Sequence, residues 1–348
     1  MTDDSELTGY NMTREPPPWI NCSIYVFETI FLNYKVLHNI GIIDSYAKYL
    51  FAIILIVLFL TGCTGNILVI TLIHRCRHLR GAPAMLLANL SVADLLVCIV
   101  YFPFYLYIFL ASRICIHNSE FVMINVLQFI EFLSPLCSVL TLIAINIERY
   151  YVVKFPLRVR TVITFRRKLL VIASIWLISI LCSCNIFIKI KEYISIHDGV
   201  GRSAYTRNWW IPITQIYIPA VILIASCVVT TTTLCKRIHC SSVHGVITSS
   251  NISPSSGNSL IITKKAIKTV IIVTVVFLCM TLPNAVARYF LTKTFLKVPQ
   301  YPLIELITNI LRLSNSCINP FIYALVSRSF RLAVKLTFCK RTAQQNRS

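Results

Sequence analysis

The chain has 348 residues, 56% of them hydrophobic and only 13% charged. Soluble domains carry about 25% charged residues, so a soluble globular protein is excluded and one compact integral membrane domain is expected. The net charge of +20 could suggest nucleic acid, but the distribution of the bases along the chain argues otherwise; most of the fourteen cysteines lie inside apolar runs, where Cys behaves as a small hydrophobe.

Residues 1–45 open, over 1–18, on an acidic, polar and proline-bearing stretch with no apolar core of a cleavable signal. They read as an extracellular tail, and the first membrane helix is expected to serve as an uncleaved anchor. The tail carries the glycosylation triplets Asn11-Met12-Thr13 and Asn21-Cys22-Ser23. The triplets at Asn89 and Asn251 fall in the membrane and the cytosol and are discounted.

Seven apolar segments follow, near 49–73, 84–110, 122–153, 168–190, 211–235, 266–291 and 303–326. Each is long enough to cross a bilayer, and residues 46–326 are expected to form one all-α, seven-transmembrane helix bundle. The third segment, at about 32 residues and 1.5 Å each, is about 48 Å long and must tilt or project beyond a hydrocarbon core of about 30 Å. The link 236–265 is serine-rich and broken by Pro and Gly, which predicts a flexible cytoplasmic loop. In the closing 327–348 stretch, residues 327–338 alternate basic and apolar positions at helical spacing. They predict a short amphipathic eighth helix on the inner leaflet, with Cys339 placed for palmitoylation.

The bases sort by side. Arg75, Arg80, Arg158, Arg166, Lys236, Lys264 and Arg331 fall on one face, where Glu148 is the only acid; nearly all other acids fall on the opposite face or in the tail. This asymmetry predicts an outside N-terminus and an inside C-terminus. It points to anionic lipid and an acidic cytosolic partner, with no role for nucleic acid. The absence of an internal inverted repeat argues against a transporter or channel. No nucleophile–base set or metal-ligand spacing suggests an enzyme.

Charges inside apolar spans are functional candidates by default. Asp94 lies in the second segment, Glu131 in the third and Arg312 in the seventh. The third segment ends inside at Glu148-Arg149-Tyr150, with Pro156-Leu157 just after. Add Gly65-Asn66, Asn89 to Asp94, Trp176, Pro219, Pro283 and Asn319-Pro320-Phe321-Ile322-Tyr323 followed by Phe330. Taken in this order on these spans, the chain resembles the rhodopsin-like (class A) G protein-coupled receptors. The second segment, with Pro103 nine residues after Asp94, and the run 141–157 are most similar to neuropeptide receptors.

The resemblance implies a plasma-membrane receptor that drives nucleotide exchange on a heterotrimeric G protein and meets arrestin and receptor kinases. It implies that Glu148, Arg149, Tyr150, Leu157 and Tyr323 serve coupling, with Arg149 released from a Glu148 latch. A solvated ion pair of little energetic weight is the bland alternative for that pair. It also implies that Asp94, Ser138, Asn315, Ser316 and Asn319 surround an allosteric sodium ion, the alternative being a hydrated polar network without one. No other cofactor is expected.

Four departures stand out. The cysteine usual at the outer end of the third helix is Ile124, and 191–210 has no cysteine, so the family's disulfide cannot form. Cys22 and Cys115 are the pair available in the oxidising compartment as a substitute, with connectivity left open by the sequence. The sixth helix reads Met280-Thr281-Leu282-Pro283, without the family's tryptophan. The fifth has Cys227 for a tyrosine, and 263–265 offers Thr-Lys-Lys where an acid often holds the arginine.

For the ligand, Glu131 stands where amine receptors carry their aspartate. Amine binding is the weaker reading, since 284–290 lacks an aromatic cluster. Retinal needs a lysine where this chain has Leu313. The outer rim carries Lys189, Lys191, Arg207, Arg288, Glu305 and the Trp209-Trp210 pair, a spread of charge and aromatic anchors that suits a peptide. Gln128, Glu131, Arg288, Glu305 and Arg312 are the ligand-site candidates, and Glu131 is expected to pair with Arg312 until a ligand exchanges that bond for its own. A binding-only scavenger of the same fold remains the alternative that Thr281 and Cys227 keep open.

Overall fold

The computed structural model describes residues 45–76, 84–110, 118–156, 158–184, 213–247, 254–287 and 301–345. Eight long helices form among them. These are α1 (Ser45–Arg75), α2 (Ala84–Leu96, continuing through Val97–Tyr101 and Phe102–Leu110) and α3 (Asn118–Lys154). Then come α4 (Phe165–Ser183), α5 (Ile213–Tyr217 and Ile218–Ile247), α6 (Pro254–Val286), α7 (Tyr301–Val326) and α8 (Arg328–Gln345). A single turn, Val159–Val162, joins α3 to α4. Asn11, Asn21, Cys22, Cys115, Leu157 and Arg288 lie outside the described residues, as do the side chains of Glu305 and Cys339.

The helices are apolar outside and polar inside, the reverse of a soluble bundle. Ile53, Leu60, Leu170, Leu181, Val221 and Val229 are exposed, whereas Asn66, Asp94, Asn146, Asn284 and Asn309 are buried. That inversion is stable only where the surrounding solvent is itself apolar and most inner polar groups find partners within the protein. Among the described residues five helices are long and apolar enough to cross a membrane: those over Tyr49–Arg75, Ala84–Tyr107, Val126–Lys154, Ile218–Ile238 and Ile267–Val286. The spans expected near 168–190 and 303–326 do not reach that standard. In α4 the described helix ends at Ser183 and carries Arg166, Arg167 and Lys168 directly after its first residue, Phe165, and α7 carries Glu305, Arg312 and a run of Asn and Ser.

The third helix is the strut, packing on α2, α4, α5 and α6, while α7 packs between α6 and α1 and closes the ring. Its 37 residues extend about 55 Å at 1.5 Å each. One apolar cluster joins Leu86, Leu90, Val139, Leu142, Phe277 and Tyr323; another joins Leu55, Val97, Tyr101, Phe102, Leu127 and Leu313. Asp94 and Asn319 lie along their helices between the two.

Local sequence shapes the helices. Thr61 and Thr64 of α1 donate to the carbonyls of Val57 and Leu60, at 2.6 and 2.7 Å, which hides their hydroxyls from lipid. Gly62 and Gly65 let α1 approach its neighbours. A Cβ on Gly62 would stand 2.5 Å from Cys98 Sγ and 2.9 Å from Cys317 Sγ; one on Gly65 would stand 2.9 Å from the Pro320 ring. In α2 the turn Val97–Tyr101 is π-helical and Phe102 N–H bonds Val97 O. Pro103 follows at once, and its ring excludes the ordinary four-residue turn. The same wide turn precedes Pro219 in α5. Pro135, which the sequence reading had not singled out, lies within α3 as Pro283 and Pro320 lie within α6 and α7.

The cytoplasmic loop expected over 236–265 is shorter than its composition suggested. The fifth helix continues to Ile247 and the sixth begins at Pro254, so 248–253 alone lies outside the described residues. Extending an existing helix costs far less than nucleating one, so weak helix formers follow the apolar spans to which they are joined. Proline at the first position of α6 lacks only a bond that is unmade there anyway.

The eighth helix packs on α7 and α1 through buried Phe330 and Ala333, while Leu332 and Leu336 stay exposed on another face. Arg331 Nη1 donates to the carbonyls of Ala324 and Leu325, at 3.2 and 2.5 Å. A cation thus caps the end of α7, where carbonyls have no helical partner.

Candidate functional site

In the outer half, Glu131 of α3 and Arg312 of α7 form an ion pair, Oε1 to Nη2, at 2.8 Å, each side chain 8% exposed. Two charges so buried are tolerable only when paired and further hydrogen-bonded. Asn309, one turn before Arg312, supplies that support: its Oδ1 accepts from Arg312 Nε at 3.2 Å and Nη2 at 2.7 Å. Its Nδ2 donates to Tyr105 Oη at 3.4 Å, and Tyr105 stacks on Tyr101 with ring centroids 5.7 Å apart. A continuous polar chain therefore runs from α3 through α7 to α2. Asn284 Nδ2 donates to Thr308 Oγ1 at 3.3 Å, and Tyr217 Oη to the carbonyl of Ala285 at 3.0 Å, tying α6 to α7 and to α5 at a similar depth.

The expected pairing of Glu131 with Arg312 is thus present. Gln128, three residues before Glu131, is half-buried, and Glu305 stands on α7 two turns before Arg312. The sequence reading missed Asn309 and Tyr105. An Asn three residues before an intramembrane Arg was a usable signal, because such pairs share a helix face.

Deeper in the bundle Asp94 is fully buried. Asn319 Nδ2 donates to its Oδ2 at 2.8 Å, Ser138 Oγ approaches Oδ1 at 3.4 Å, and Ser316 lies against the same carboxylate. Asn66 Nδ2 donates to the carbonyls of Gly62 and Ser316, at 3.0 and 2.9 Å. Three buried oxygens nearby along these helices, Asn66 Oδ1, Asn315 Oδ1 and the Tyr323 hydroxyl, have no hydrogen-bond partner among the described residues. Of the five expected residues the fold brings Ser138, Ser316 and Asn319 onto Asp94, while Asn315 is buried without bonding it. One carboxylate among neutral oxygen donors, with acceptor capacity left over, fits a hard monovalent cation.

Beside this site Asn89 ties three helices. Its Nδ2 donates to Thr141 Oγ1, and its Oδ1 accepts from Trp176 Nε1, both at 2.8 Å. Ser134 Oγ adds a bond to the carbonyl of Ala93 at 2.7 Å. Thr281, in the tryptophan's place, turns its hydroxyl onto the carbonyl of Phe277 at 2.7 Å.

At the inner end the expected latch is rearranged. The carboxylate of Glu148 pairs with Lys168 of α4 at 3.2 Å, side chains 5% and 8% exposed, and the ion pairs among the described residues do not include one between Glu148 and Arg149. Adjacent residues point about 100° apart around a helix, and Glu148 turns toward α4. Arg149 Nε is buried without a hydrogen-bond partner among the described residues. Tyr150 Oη accepts from Lys154 Nζ at 2.6 Å. Thr230 Oγ1 donates to the carbonyl of Asn146 at 3.2 Å, and Arg237 donates to that of Val153, which fastens α5 to α3. Tyr323 is buried beside Phe330, ring centroids 6.2 Å apart.

Residues 65–323 match the family described as 7 transmembrane receptor (rhodopsin family). The chain belongs to that family. The receptor is 26% identical over 301 residues to the QRFP-like peptide receptor of Branchiostoma floridae, covering 82% of this chain and 76% of that protein. It is 25% identical over 299 residues to growth hormone secretagogue receptor type 1 of Rattus norvegicus, covering 80% and 78%. In fold it resembles squid rhodopsin, with a TM-score of 0.68 at 20% identity over 85% of this chain and 86% of that one. The receptor family, the class A resemblance and the seven-helix fold read from the sequence all stand.

Proposed function

We propose that the receptor answers an extracellular peptide and passes the signal to a heterotrimeric G protein, with its N-terminus outside the plasma membrane. The observation that carries this reading is the buried Glu131–Arg312 pair, which occupies the floor of the outer half with both charges committed to each other. A peptide carries its own acids, bases and amides, so it can replace both halves of such a pair. A simple amine supplies only a cation and would leave Arg312 uncompensated, which is costly. The rim charges read from the sequence, including Arg288 and Glu305, and the similarity to a receptor named for peptide binding support the same class. A scavenger that only internalises its ligand is the second reading, favoured by Thr281 in place of the tryptophan.

Peptide binding that breaks the pair frees α7 to move against α3. Below it the Asp94 cluster offers sites for a sodium ion, whose charge would balance the carboxylate in the resting receptor; Asp94, Ser138, Ser316 and Asn319 would hold it. At the inner face Arg149, Tyr150, Leu157 and Tyr323 would meet the G protein, and the basic surface would rest on anionic lipid and later take arrestin and receptor kinases.

The test is a peptide library applied to membranes bearing the full chain, with nucleotide exchange read for each G protein class. A peptide that stimulates exchange is then compared on Glu131→Gln. Its potency is expected to fall about tenfold or more, the equivalent of about 1.4 kcal/mol. Because the lone variant strands a buried Arg312, the double variant Glu131→Gln/Arg312→Gln is run beside it. Potency unchanged in both sinks the exchange of salt bridges, and uptake without nucleotide exchange supports the scavenger.

A further inference from the structure

The inner face holds one carboxylate and more than one base competing for it. Glu148 is the only acid among the cytoplasmic residues assigned from the sequence, and 263–265 at the inner end of α6 reads Thr-Lys-Lys. The structure gives that carboxylate to Lys168 at 3.2 Å and leaves Arg149 Nε buried without a hydrogen-bond partner among the described residues. The placement of Lys168 is built in. Thr164 caps α4 by accepting from Arg167 N at 3.4 Å. Arg167 Nη1 donates to the carbonyls of Val162 and Thr161, at 2.9 and 3.4 Å, which anchors the first turn of α4 to the α3–α4 connection. Arg166 and Arg167 then face solvent and Lys168 alone turns inward. An ammonium in the first turn of a helix opposes the helix dipole, and burial disfavours it further. Such a lysine needs a carboxylate, and among the described residues Glu148 supplies one.

We propose that Lys168 is a positioning residue of the coupling face: by holding Glu148 on α4 it keeps that carboxylate off Arg149, so Arg149 stands ready for the G protein before any ligand arrives. The inference rests on the coupling reading above and adds its regulation. Ligand-independent signalling follows from it, since Glu148 forms its ion pair with Lys168 and the inner end of α6 brings no acid to pair with Arg149 at rest.

The experiment measures nucleotide exchange, per receptor at the surface, in membranes carrying the full chain, first without ligand and then with the peptide library. Wild type is expected to support exchange without ligand, and Arg149→Ala to abolish it. Lys168→Met frees the carboxylate for Arg149, and exchange without ligand falls about threefold, the scale of a modest ion pair. Lys168→Arg keeps the pair and the activity. The double variant Glu148→Gln/Lys168→Met removes both charges, so exchange recovers relative to Lys168→Met, and its thermal stability shows whether the single variant had merely failed to fold. A purely structural lysine would lower stability in Lys168→Met with exchange per receptor unchanged, and that result overturns the proposal. Exchange seen only after the library is added also overturns it while the coupling reading survives. No exchange in wild type, with or without the library, overturns the coupling reading itself and the role of Lys168 with it.

Discussion

Asp94 is the single residue on which the inner polar network depends. Its carboxylate is fully buried, accepts from Asn319 at 2.8 Å, and has no base among the hydrogen-bond partners described. A lone charge in that setting is costly unless a cation or hydrogen-bond donors compensate. Asp94→Asn keeps the shape and removes the charge, so exchange by the wild type should depend on sodium concentration when potassium replaces it at constant ionic strength, and exchange by the variant should not. Equal sodium dependence in the two would show that no sodium ion acts through this carboxylate and that a hydrated polar network suffices. Arg312 illustrates a different balance at the same scale. Its charge is offset twice, by Glu131 at 2.8 Å and by Asn309 at 2.7 Å, so removing either partner leaves a different remainder.

The close approach of helices is set by small residues. The first helix meets α2 and α7 where Gly62 leaves room for the sulfurs of Cys98 and Cys317, and Cys317 Sγ in turn lies 3.1 Å from the carbonyl of Leu58. A methyl group at Gly62 would stand far inside contact distance of both sulfurs, which belong to short side chains with little freedom to retreat. Gly62→Ala is expected to destabilise the receptor by about 1–3 kcal/mol, the usual range for an overfilled core. Its thermal midpoint in detergent should drop, and Cys98→Ala added to the same chain should recover part of the loss; an unchanged midpoint would mean that α1 simply moves away. The wide turns before Pro103 and Pro219 belong to the same scale. On α2 the wide turn precedes the outer part of the helix, from which Tyr105 meets Asn309.

For the whole molecule the decisive pattern is apolar outside, polar inside and basic at one end. Its solvent is lipid on the sides and water at the faces, and the excess of Lys and Arg near 75–80, 158–168 and 328–341 should hold that end in the cytosol. The opposite end then carries Asn11 and Asn21. In cells, glycosidase treatment is expected to speed the migration of the wild type on a gel and leave Asn11→Gln/Asn21→Gln unaffected. Identical migration of both before and after treatment would count against an outside N-terminus.

Much of this was legible in the chain itself. Apolar runs longer than a bilayer, separated by short polar links, leave few options except membrane helices, because the backbone can satisfy its hydrogen bonds there only internally. Asp94, Glu131 and Arg312 stood out for a related reason: a charge in an apolar run is too expensive to be incidental. The extent of the helices flanking 248–253 was not legible, since composition reports propensity and not the cooperative extension of a neighbouring helix. Nor was the partner of Glu148. Sequence adjacency suggested Arg149, but the direction of a side chain around a helix and the identity of the helix packed there are properties of the assembled bundle. The sequence by itself determined the class, the spans and the residues that could not be idle. Only the tertiary structure decided which charges meet, because pairing depends on distances between helices that no local pattern encodes.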